Sequence, residues 1–284
     1  MKNKLVRLVA VVAALTCAMV LVVGCSSGST EEGSTASEDT EATEATDYGE
    51  GFTLVVGFDS SYPPYGYIDD DGEYAGFDLD LAELVCDYYG WELELEAIDW
   101  DAKDALLGSG SINCIWNGFT IEGREDQYTF SDAYMLNAQV VVVKADSEAA
   151  SLDDLAGGVV ITQVDSAALD VLEGDDYADF TASLSELSTI SDYNNAFMQL
   201  ESGQVDAVAC DLSIANYQIA ANPDAYVILE TLSSETYGVG FNLGDDELAE
   251  LVTEALVALD EDGTVEELCA EYEDYGISYD NWLL

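Results

Sequence analysis

One guanidinium group stands out in an otherwise acidic chain. Beyond position 7 the sequence has a single arginine, Arg124, and two lysines, Lys103 and Lys144, whereas the whole chain carries 59 Asp and Glu residues. A guanidinium is always charged, and its planar fork binds a carboxylate through two parallel hydrogen bonds. Arg124 is therefore a candidate for holding the carboxylate of a small molecule. The alternative is a surface ion pair with Glu125, Asp126 or another acid, and Arg124 alone does not decide between the two.

The net charge excludes two classes of partner. The formal charge of the 284-residue chain is −53. Nucleic acids and anionic membrane surfaces are bound by basic patches, so neither is expected to be held here by charge. The acidity by itself fits adaptation to a salty or acidic niche and says nothing about a ligand.

The sequence also lacks the residue that most enzymes use for proton transfer. No histidine occurs anywhere in the chain, which excludes Ser-His-Asp and Cys-His catalysis and histidine-based zinc sites. No cofactor site is predicted. The cysteines beyond position 25 lie in apolar patterns typical of buried free thiols, although disulfides stay open. They are Cys86, Cys114, Cys210 and Cys269.

Residues 1–24 have the pattern of a bacterial export signal. Three basic residues lie in the first seven positions, and an apolar run follows from Leu8 to Val23. The run ends in Leu-Val-Val-Gly followed by Cys25, which resembles a bacterial lipoprotein box, so we expect Cys25 to be lipidated. The alternative is an uncleaved membrane helix, because the run is nearly long enough to span a bilayer. Residues 25–50 are rich in Ser, Thr, Gly and acids and are expected to form a disordered linker.

From residue 51 onward, predicted strands and helices alternate in two blocks. Such alternation is typical of two α/β lobes with largely parallel sheets. Short apolar or alternating runs predict the strands, and apolar residues at helical spacing predict helices between them. The clearest strands are Phe52–Phe58, Trp91–Glu96, Ile112–Trp116, Val159–Thr162 and Val205–Ala209.

Polar and aromatic residues follow the carboxyl ends of these predicted strands. In open α/β sheets, ligands bind in the crevice beyond those ends. We therefore expect a cleft between the two lobes, lined by a carboxylate, a guanidinium, hydroxyls and aromatic rings. The residues at these positions are Asp59, Trp100, Asp101, Asn117 to Thr120, Arg124, Ser166 and Asp211.

Several segments resemble the polar amino-acid solute-binding proteins of bacterial ABC importers. The motifs occur in order over about residues 51–275: Val56 to Tyr65, Gly76 to Ala82, Asn117 to Asp132, Ser202 to Asp211, and Asp262-Gly263-Thr264. The resemblance implies a two-lobed α/β clamshell of the type II periplasmic-binding-protein class with two crossover hinge strands. Lobe 1 would be residues 51–141 plus 239–284, and lobe 2 residues 142–238.

The resemblance also implies roles for individual residues. The arginine after the Gly-x-Thr segment binds the ligand α-carboxylate, which maps to Arg124. The aspartate after the Asp-Ala-Val strand binds the α-ammonium, which maps to Asp211. The aromatic residue before the prolines, here Tyr62, packs over the ligand. Gly118 and Thr120 of the Gly-x-Thr segment assist.

Other positions would set ligand selectivity. Ser166 corresponds to the hydroxyl residue at the start of lobe 2, where a neighbouring Asp165 would repel a ligand carboxylate unless it points away. Asp59 is expected either to meet a cationic side chain or to fix the Tyr62 loop by hydrogen bonds. The remaining candidates are Trp100, Asp101 and Trp116, whose aromatic members could equally be core residues.

The function that follows is capture of a polar or cationic L-amino acid by a monomeric, lipid-anchored extracytoplasmic protein. Closure around the ligand would present it to the membrane permease of an ABC importer, without catalysis by this chain. The alternatives are a dehydratase of a prephenate-like acid, with Asp59 or Asp101 as its acid, and an extracytoplasmic amino-acid sensor.

Overall fold

The structure, a computed structural model, describes residues 47–69 and 71–284. The predicted export signal, Cys25 and the linker up to residue 46 lie outside the described residues. Tyr48, predicted to lie in the linker, packs its ring against Phe52 at a centroid distance of 5.0 Å, and its carbonyl accepts a hydrogen bond from Trp91 Nε1 at 2.9 Å. The packed chain therefore reaches back to Tyr48. Among the helices of this described part, none is long and apolar enough to cross a membrane.

Strands and helices alternate along most of the described chain. The strands are β1 (Thr53–Phe58), β2 (Ser61–Tyr62), β3 (Gly66–Ile68), β4 (Tyr74–Ala75), β5 (Glu92–Ala97), β6 (Cys114–Thr120), β7 (Tyr128–Phe130), β8 (Met135–Lys144), β9 (Val159–Gln163), β10 (Glu186–Ile190), β11 (Ala207–Asp211) and β12 (Tyr226–Asn242). The α-helices are α1 (Phe77–Tyr89), α2 (Lys103–Gly108), α3 (Ala167–Glu173), α4 (Ala178–Ser183), α5 (Tyr193–Ser202), α6 (Leu212–Ala221), α7 (Asp246–Glu261) and α8 (Thr264–Glu271).

One large mixed sheet organises the chain, in the strand order β10-β9-β11-β8-β12-β6-β1-β5, with β7 also paired to β12. The pairs β1–β5, β1–β6, β9–β10 and β9–β11 are parallel. The long strands β8 and β12 run antiparallel between these groups. We call β1, β5, β6 and β7 the first sheet half, and β9, β10 and β11 the second sheet half.

Burial along the strands follows their place in the sheet. All seven residues of β6 are buried, because a central strand is covered on both faces. Strand β5 lies at the edge and alternates between exposed and half-buried residues, as its strict sequence alternation predicted. Helices α1 and α7 pack on the first sheet half, while α3, α5 and α6 contact strands of the second.

Two strands are longer than their sequence patterns predict, and for the second the pattern predicts a strand only over residues 238–243. Strand β6 continues through Thr120 rather than ending at Trp116, so Asn117 and Gly118 lie inside a strand. Asn and Gly disfavour strands locally, but antiparallel pairing with β12 overrides that preference by placing Thr120 opposite Tyr237. Strand β12 itself has 17 residues, because its early part pairs with β8 before its end pairs with β6.

The cysteines of the described part are buried and unpaired. Cys86, Cys114, Cys210 and Cys269 are all free thiols with at most 2% of their surface exposed. Burial raises the pKa of the Cys86 and Cys269 thiols to about 12. These residues therefore behave as small apolar core residues rather than as reactive groups.

Candidate ligand-binding site

A small cavity of about 20 Å³ lies where the two sheet halves meet. Most of the predicted ligand residues line it: Tyr62, Trp100, Gly118, Thr120, Arg124, Ser166 and Asp211. Small-molecule sites in proteins usually measure about 300–1,000 Å³. A ligand therefore enters this site only if the two halves separate or its side chains rearrange.

Arg124 joins the two sheet halves. It follows β6, is only 7% exposed, and its guanidinium lies 5.1 Å from the centre of the Phe119 ring. Its Nη1 donates to the Thr120 carbonyl at 3.3 Å, and its Nη2 contacts the Asp165 carbonyl at 3.4 Å and Asp170 Oδ2 at 3.2 Å. The ion pair is made across the cleft and not with the residues that follow Arg124 in sequence.

Asp165 presents its backbone, not its carboxylate, to Arg124. Its φ of 53° lies in the left-handed region, and its carbonyl also accepts a hydrogen bond from Trp100 Nε1 at 3.2 Å. Its carboxylate pairs instead with Lys103 Nζ at 3.7 Å. Burial lowers the pKa of Lys103, whereas neighbouring carboxylates oppose that shift. The negative charge of Asp165 is therefore paired with Lys103, which reduces the repulsion expected between Asp165 and a ligand carboxylate.

Asp211 is held by donors from the two long strands. It ends β11 and is 4% exposed. Its Oδ1 accepts hydrogen bonds from Asn137 Nδ2 at 3.0 Å, Gln139 Nε2 at 2.7 Å and the Tyr237 hydroxyl at 2.9 Å. All three donors are neutral, and Asp211 forms no ion pair within the described residues.

A second buried carboxylate, Glu235, was missed by the sequence analysis. Its Oε1 accepts hydrogen bonds from the same two amides, Asn137 at 2.6 Å and Gln139 at 2.8 Å, and from Thr120 Oγ1 at 3.1 Å. Burial, reinforced by the charge of Asp211, raises the pKa of Glu235 to about 8. Asn137 and Gln139 are two residues apart in a strand that is otherwise apolar up to its last residue, Lys144, and this spacing places both on one face. This pair of polar residues is the sequence signal from which a buried polar site on β8 could have been predicted.

Gly118 is shaped by two tyrosines and one carboxylate. Its φ is +57°, and a Cβ there would lie 3.0 Å from the Tyr237 ring and 3.3 Å from the Tyr62 ring. Its N–H donates to Asp78 Oδ2 at 2.6 Å, and the Tyr134 hydroxyl donates to the same carboxyl group. Burial raises the pKa of Asp78 to about 7, against the effect of these hydrogen bonds. The Gly118 N–H therefore already has an acceptor in Asp78 and is not free to bind a ligand.

Asp59 lies beside the cavity rather than in its lining. Its Oδ1 accepts from the Ser61 amide at 2.8 Å and its Oδ2 from Gln163 Nε2 at 2.7 Å. Burial raises the pKa of Asp59, and these two hydrogen bonds oppose the shift. Gln163 lines the small cavity, while Asp59 and Trp100 border a neighbouring cavity of about 340 Å³. That second cavity is acidic, since it is also lined by Asp99, Asp101 and Asp192.

Of three further residues singled out in the sequence, two line the cavity and one does not. Ser166 caps α3 by accepting from the Leu169 amide at 3.2 Å, so its hydroxyl already has a local structural role. Asn117 lines the cavity, is 1% exposed, and has no hydrogen-bond partner for its Oδ1 or Nδ2 among the described residues. Trp116 is fully buried in the main hydrophobic core and does not line the cavity.

The sequence matches one protein family over most of its folded length. Residues 54–274 match the bacterial extracellular solute-binding proteins, family 3. The chain belongs to this family. Its members are extracytoplasmic or periplasmic binding proteins that serve ABC transporters. This confirms the predicted binding rather than enzymatic function and makes the dehydratase alternative less favoured.

Individual relatives agree with this assignment. The solute-binding protein is 27% identical over 227 residues to the L-cystine-binding protein TcyJ of Escherichia coli K12, covering 78% of this chain and 82% of that one. A histidine-bound ABC uptake transporter substrate-binding protein from Streptococcus pneumoniae superposes with a TM-score of 0.76 and 30% identity, covering 80% and 94% of the two chains. An arginine-bound ancestral arginine-binding protein gives a TM-score of 0.71 and 33% identity, covering 79% and 98%. These structures confirm the predicted type II periplasmic-binding-protein fold.

Proposed function

We propose that this solute-binding protein captures an L-α-amino acid with a polar or cationic side chain. One observation carries the proposal: Arg124 and Asp211, a buried cation and a buried anion, line the same cavity from different sheet halves. A zwitterionic amino acid carries one charge of each sign, so it complements this pair. A ligand lacking either charge leaves one partner buried and unpaired, which costs a few kcal/mol.

Binding exchanges protein contacts for ligand contacts at Arg124. The ligand carboxylate takes the position that the Asp165 carbonyl and the Asp170 carboxylate now hold on Nη2. The ligand ammonium meets Asp211. Because each charged end is supplied by a different half, the ligand binds the closed form more tightly than the open form and shifts the population toward closure.

The ligand side chain is assigned to the region of Asn117, Gln163 and Asp59. The amide of Asn117 has an unused donor and an unused acceptor, which suits a polar side chain. The acidic cavity beyond Asp59 suits a cationic one. Relatives named for binding cystine, histidine and arginine support this range. Asp59 also bonds the Ser61 amide, so its role in fixing the Tyr62 loop operates as well.

The remaining parts of the proposal concern the whole molecule. Residues 51–141 plus 239–284 and residues 142–238 are proposed as the two moving lobes, with β8 and β12 as the hinge between them. A lipid on Cys25 is proposed to anchor a monomer at the outer face of the membrane, where the closed form meets the permease. The sensor alternative has no observation in its favour.

A thermal-shift screen tests the proposal. Residues 26–284 would be heated with each of the twenty L-amino acids, ornithine, citrulline and cystine, and with arginine lacking either its carboxylate or its α-amino group. A ligand at 100 times its Kd should raise the free energy of unfolding by about 2.7 kcal/mol. Stabilisation by one or a few L-amino acids, and not by the two truncated analogues, supports the proposal. No response to any α-amino acid overturns it.

A further inference from the structure

Two buried carboxylates share the same two hydrogen-bond donors beside the cavity. Asp211 Oδ1 and Glu235 Oε1 each accept from both Asn137 Nδ2 and Gln139 Nε2, at distances of 2.6 to 3.0 Å. Since both oxygens lie so close to one nitrogen, they are no more than about 6 Å apart, a distance at which like charges strongly disfavour joint ionisation. Each residue is only 4% exposed.

No positive charge compensates this pair among residues 47–69 and 71–284. The ion pairs there join Lys103 to Asp104 and Asp165, and Arg124 to Asp170. The donors around Asp211 and Glu235 are neutral amides and hydroxyls, which stabilise one buried charge better than two. A single proton on either carboxyl group removes the repulsion between two buried negative charges.

Apart from Asp78, the other titratable groups around the pair do not replace it as a proton carrier near neutral pH. Tyrosines contact the region from β2, the turn after β2, α5 and β12. Burial raises the pKa of each well above its ordinary value, so they stay neutral. They are Tyr62, Tyr65, Tyr193 and Tyr237. Cys210, next to Asp211, also has a pKa raised by burial. Asp78 binds the Gly118 amide on the other side of the cavity and is the one nearby carboxyl with a pKa of about 7.

We propose that the Asp211–Glu235 pair holds one proton in the ligand-free protein and releases it to solvent when a ligand ammonium binds Asp211. The inference rests on the proposed role of Asp211. In the free protein the O–H bond is on the pair; on binding it breaks, the electron pair stays with the carboxylate, and the incoming ammonium balances the new charge. Glu235 is thus a positioning residue that couples amino-acid capture to proton release.

The coupling between proton release and binding predicts the direction in which affinity changes with pH. Glu235 is protonated in the free protein below a pKa of about 8, and the ammonium lowers that pKa in the complex. Raising the pH therefore favours the complex. Affinity should increase by up to about tenfold per pH unit between the two pKa values and level off above pH 8, because one proton is released per ligand bound.

Calorimetric titration of the protein with L-arginine, L-histidine, L-glutamine and L-cystine tests the inference. Each titration is run at pH 7 in phosphate and in Tris, whose ionisation enthalpies differ, so the difference in heat counts the protons released. We expect about one proton per amino acid bound, and a rise in affinity from pH 6 to pH 8. Binding without proton release in the unmodified protein overturns the inference and leaves the proposed function intact. Absence of binding by all four overturns both.

Variants on β12 locate the proton. Glu235→Gln keeps the acceptor for Thr120 but cannot ionise, so it should bind with no proton release and a flat pH profile. Glu230→Gln removes an exposed carboxylate from the same strand and should behave like the unmodified protein. If Glu235→Gln still releases a proton on binding, the proton comes from another group and the inference is overturned. Asp78 would then be the first group to test. The result for the unmodified protein stands even if the Glu235 variant fails to fold.

Discussion

Arg124 and Asp211 lie in the same cavity, but the contacts that hold them come from different places. Arg124 stands after β6 and contacts Asp165 and Asp170, which follow β9 of the second sheet half, so these two contacts exist only while the two halves are together. Asp211 is held by Asn137 and Gln139 on β8, one of the two long strands that join the halves. The cationic end thus depends on contacts between the two halves, whereas the anionic end is held by a strand that connects them.

Thr120 links the two ends. Its carbonyl accepts from Arg124, and its hydroxyl donates to Glu235. A change at either end can therefore be transmitted through one residue of β6. If Asp211 and Arg124 bind the ligand as proposed, we expect the anionic end to recognise an ammonium group before closure and the guanidinium to complete the site afterwards.

The largest effect is expected at the cationic end. Arg124→Ala should weaken amino-acid binding by more than about 100-fold, because a buried ligand carboxylate loses its only counter-charge. The melting temperature should change little, since the partner carboxylate of Asp170 is 67% exposed and can be hydrated. Calorimetric titration measures the affinity and a thermal melt the stability. Lys144→Ala, which removes a cation away from the cavity, is the control, and retained affinity in Arg124→Ala would refute the role of Arg124.

A somewhat smaller effect is expected at the anionic end. Asp211→Asn keeps the side-chain shape but removes the charge, and should weaken binding by about 10- to 100-fold, the range for a hydrogen bond to a charged group. The loss is smaller than for Arg124 because Glu235 remains nearby as a second anion. Titration at pH 8 measures it, with the exposed Asp224→Asn as the matched control. Equal losses for Arg124→Ala and Asp211→Asn would show that the two ends depend on closure alike.

The same contrast explains what the sequence could and could not predict. Arg124 and Asp211 lie at or just beyond strand ends, where the topology of an α/β sheet collects ligand residues, and the structure places both in the cavity lining. Their ligand roles, which the family resemblance implied, stay predictions. Glu235 and Gln139 lie in the middle of long strands. Their direction depends on the register between β8 and β12, which includes two irregularities, and no local pattern encodes that register.

Local propensity also misplaced part of the first sheet half. Asn117 and Gly118 were predicted to follow a strand that ends at Trp116. Neither residue favours a strand, yet both lie buried within β6, which pairs with β12 on either side of them. The alternation of strands and helices, by contrast, needed no tertiary information and gave the fold class correctly. Contacts between segments distant in sequence were not predicted, as at Glu235, which shares hydrogen-bond donors with Asp211. Ser166 lines the cavity and also caps α3, so its contact with a ligand stays a prediction.

The smallest predicted effect has the opposite sign to the others. Asp170 accepts a hydrogen bond from Nη2 of Arg124, the atom proposed to bind the ligand carboxylate. Because Asp170 would compete with the ligand for this donor, Asp170→Asn should tighten amino-acid binding. Because the Asp170 side chain is 67% exposed, its ion pair is weak, and the gain should be about two- to fivefold. Titration at low ionic strength measures it best, since salt screens an exposed pair. Glu173→Gln on the same helix changes the charge equally without touching Arg124 and should have no effect. Weaker binding in Asp170→Asn would mean that Asp170 orients Arg124 for the ligand instead of competing with it, and the cationic end would then be preorganised like the anionic one.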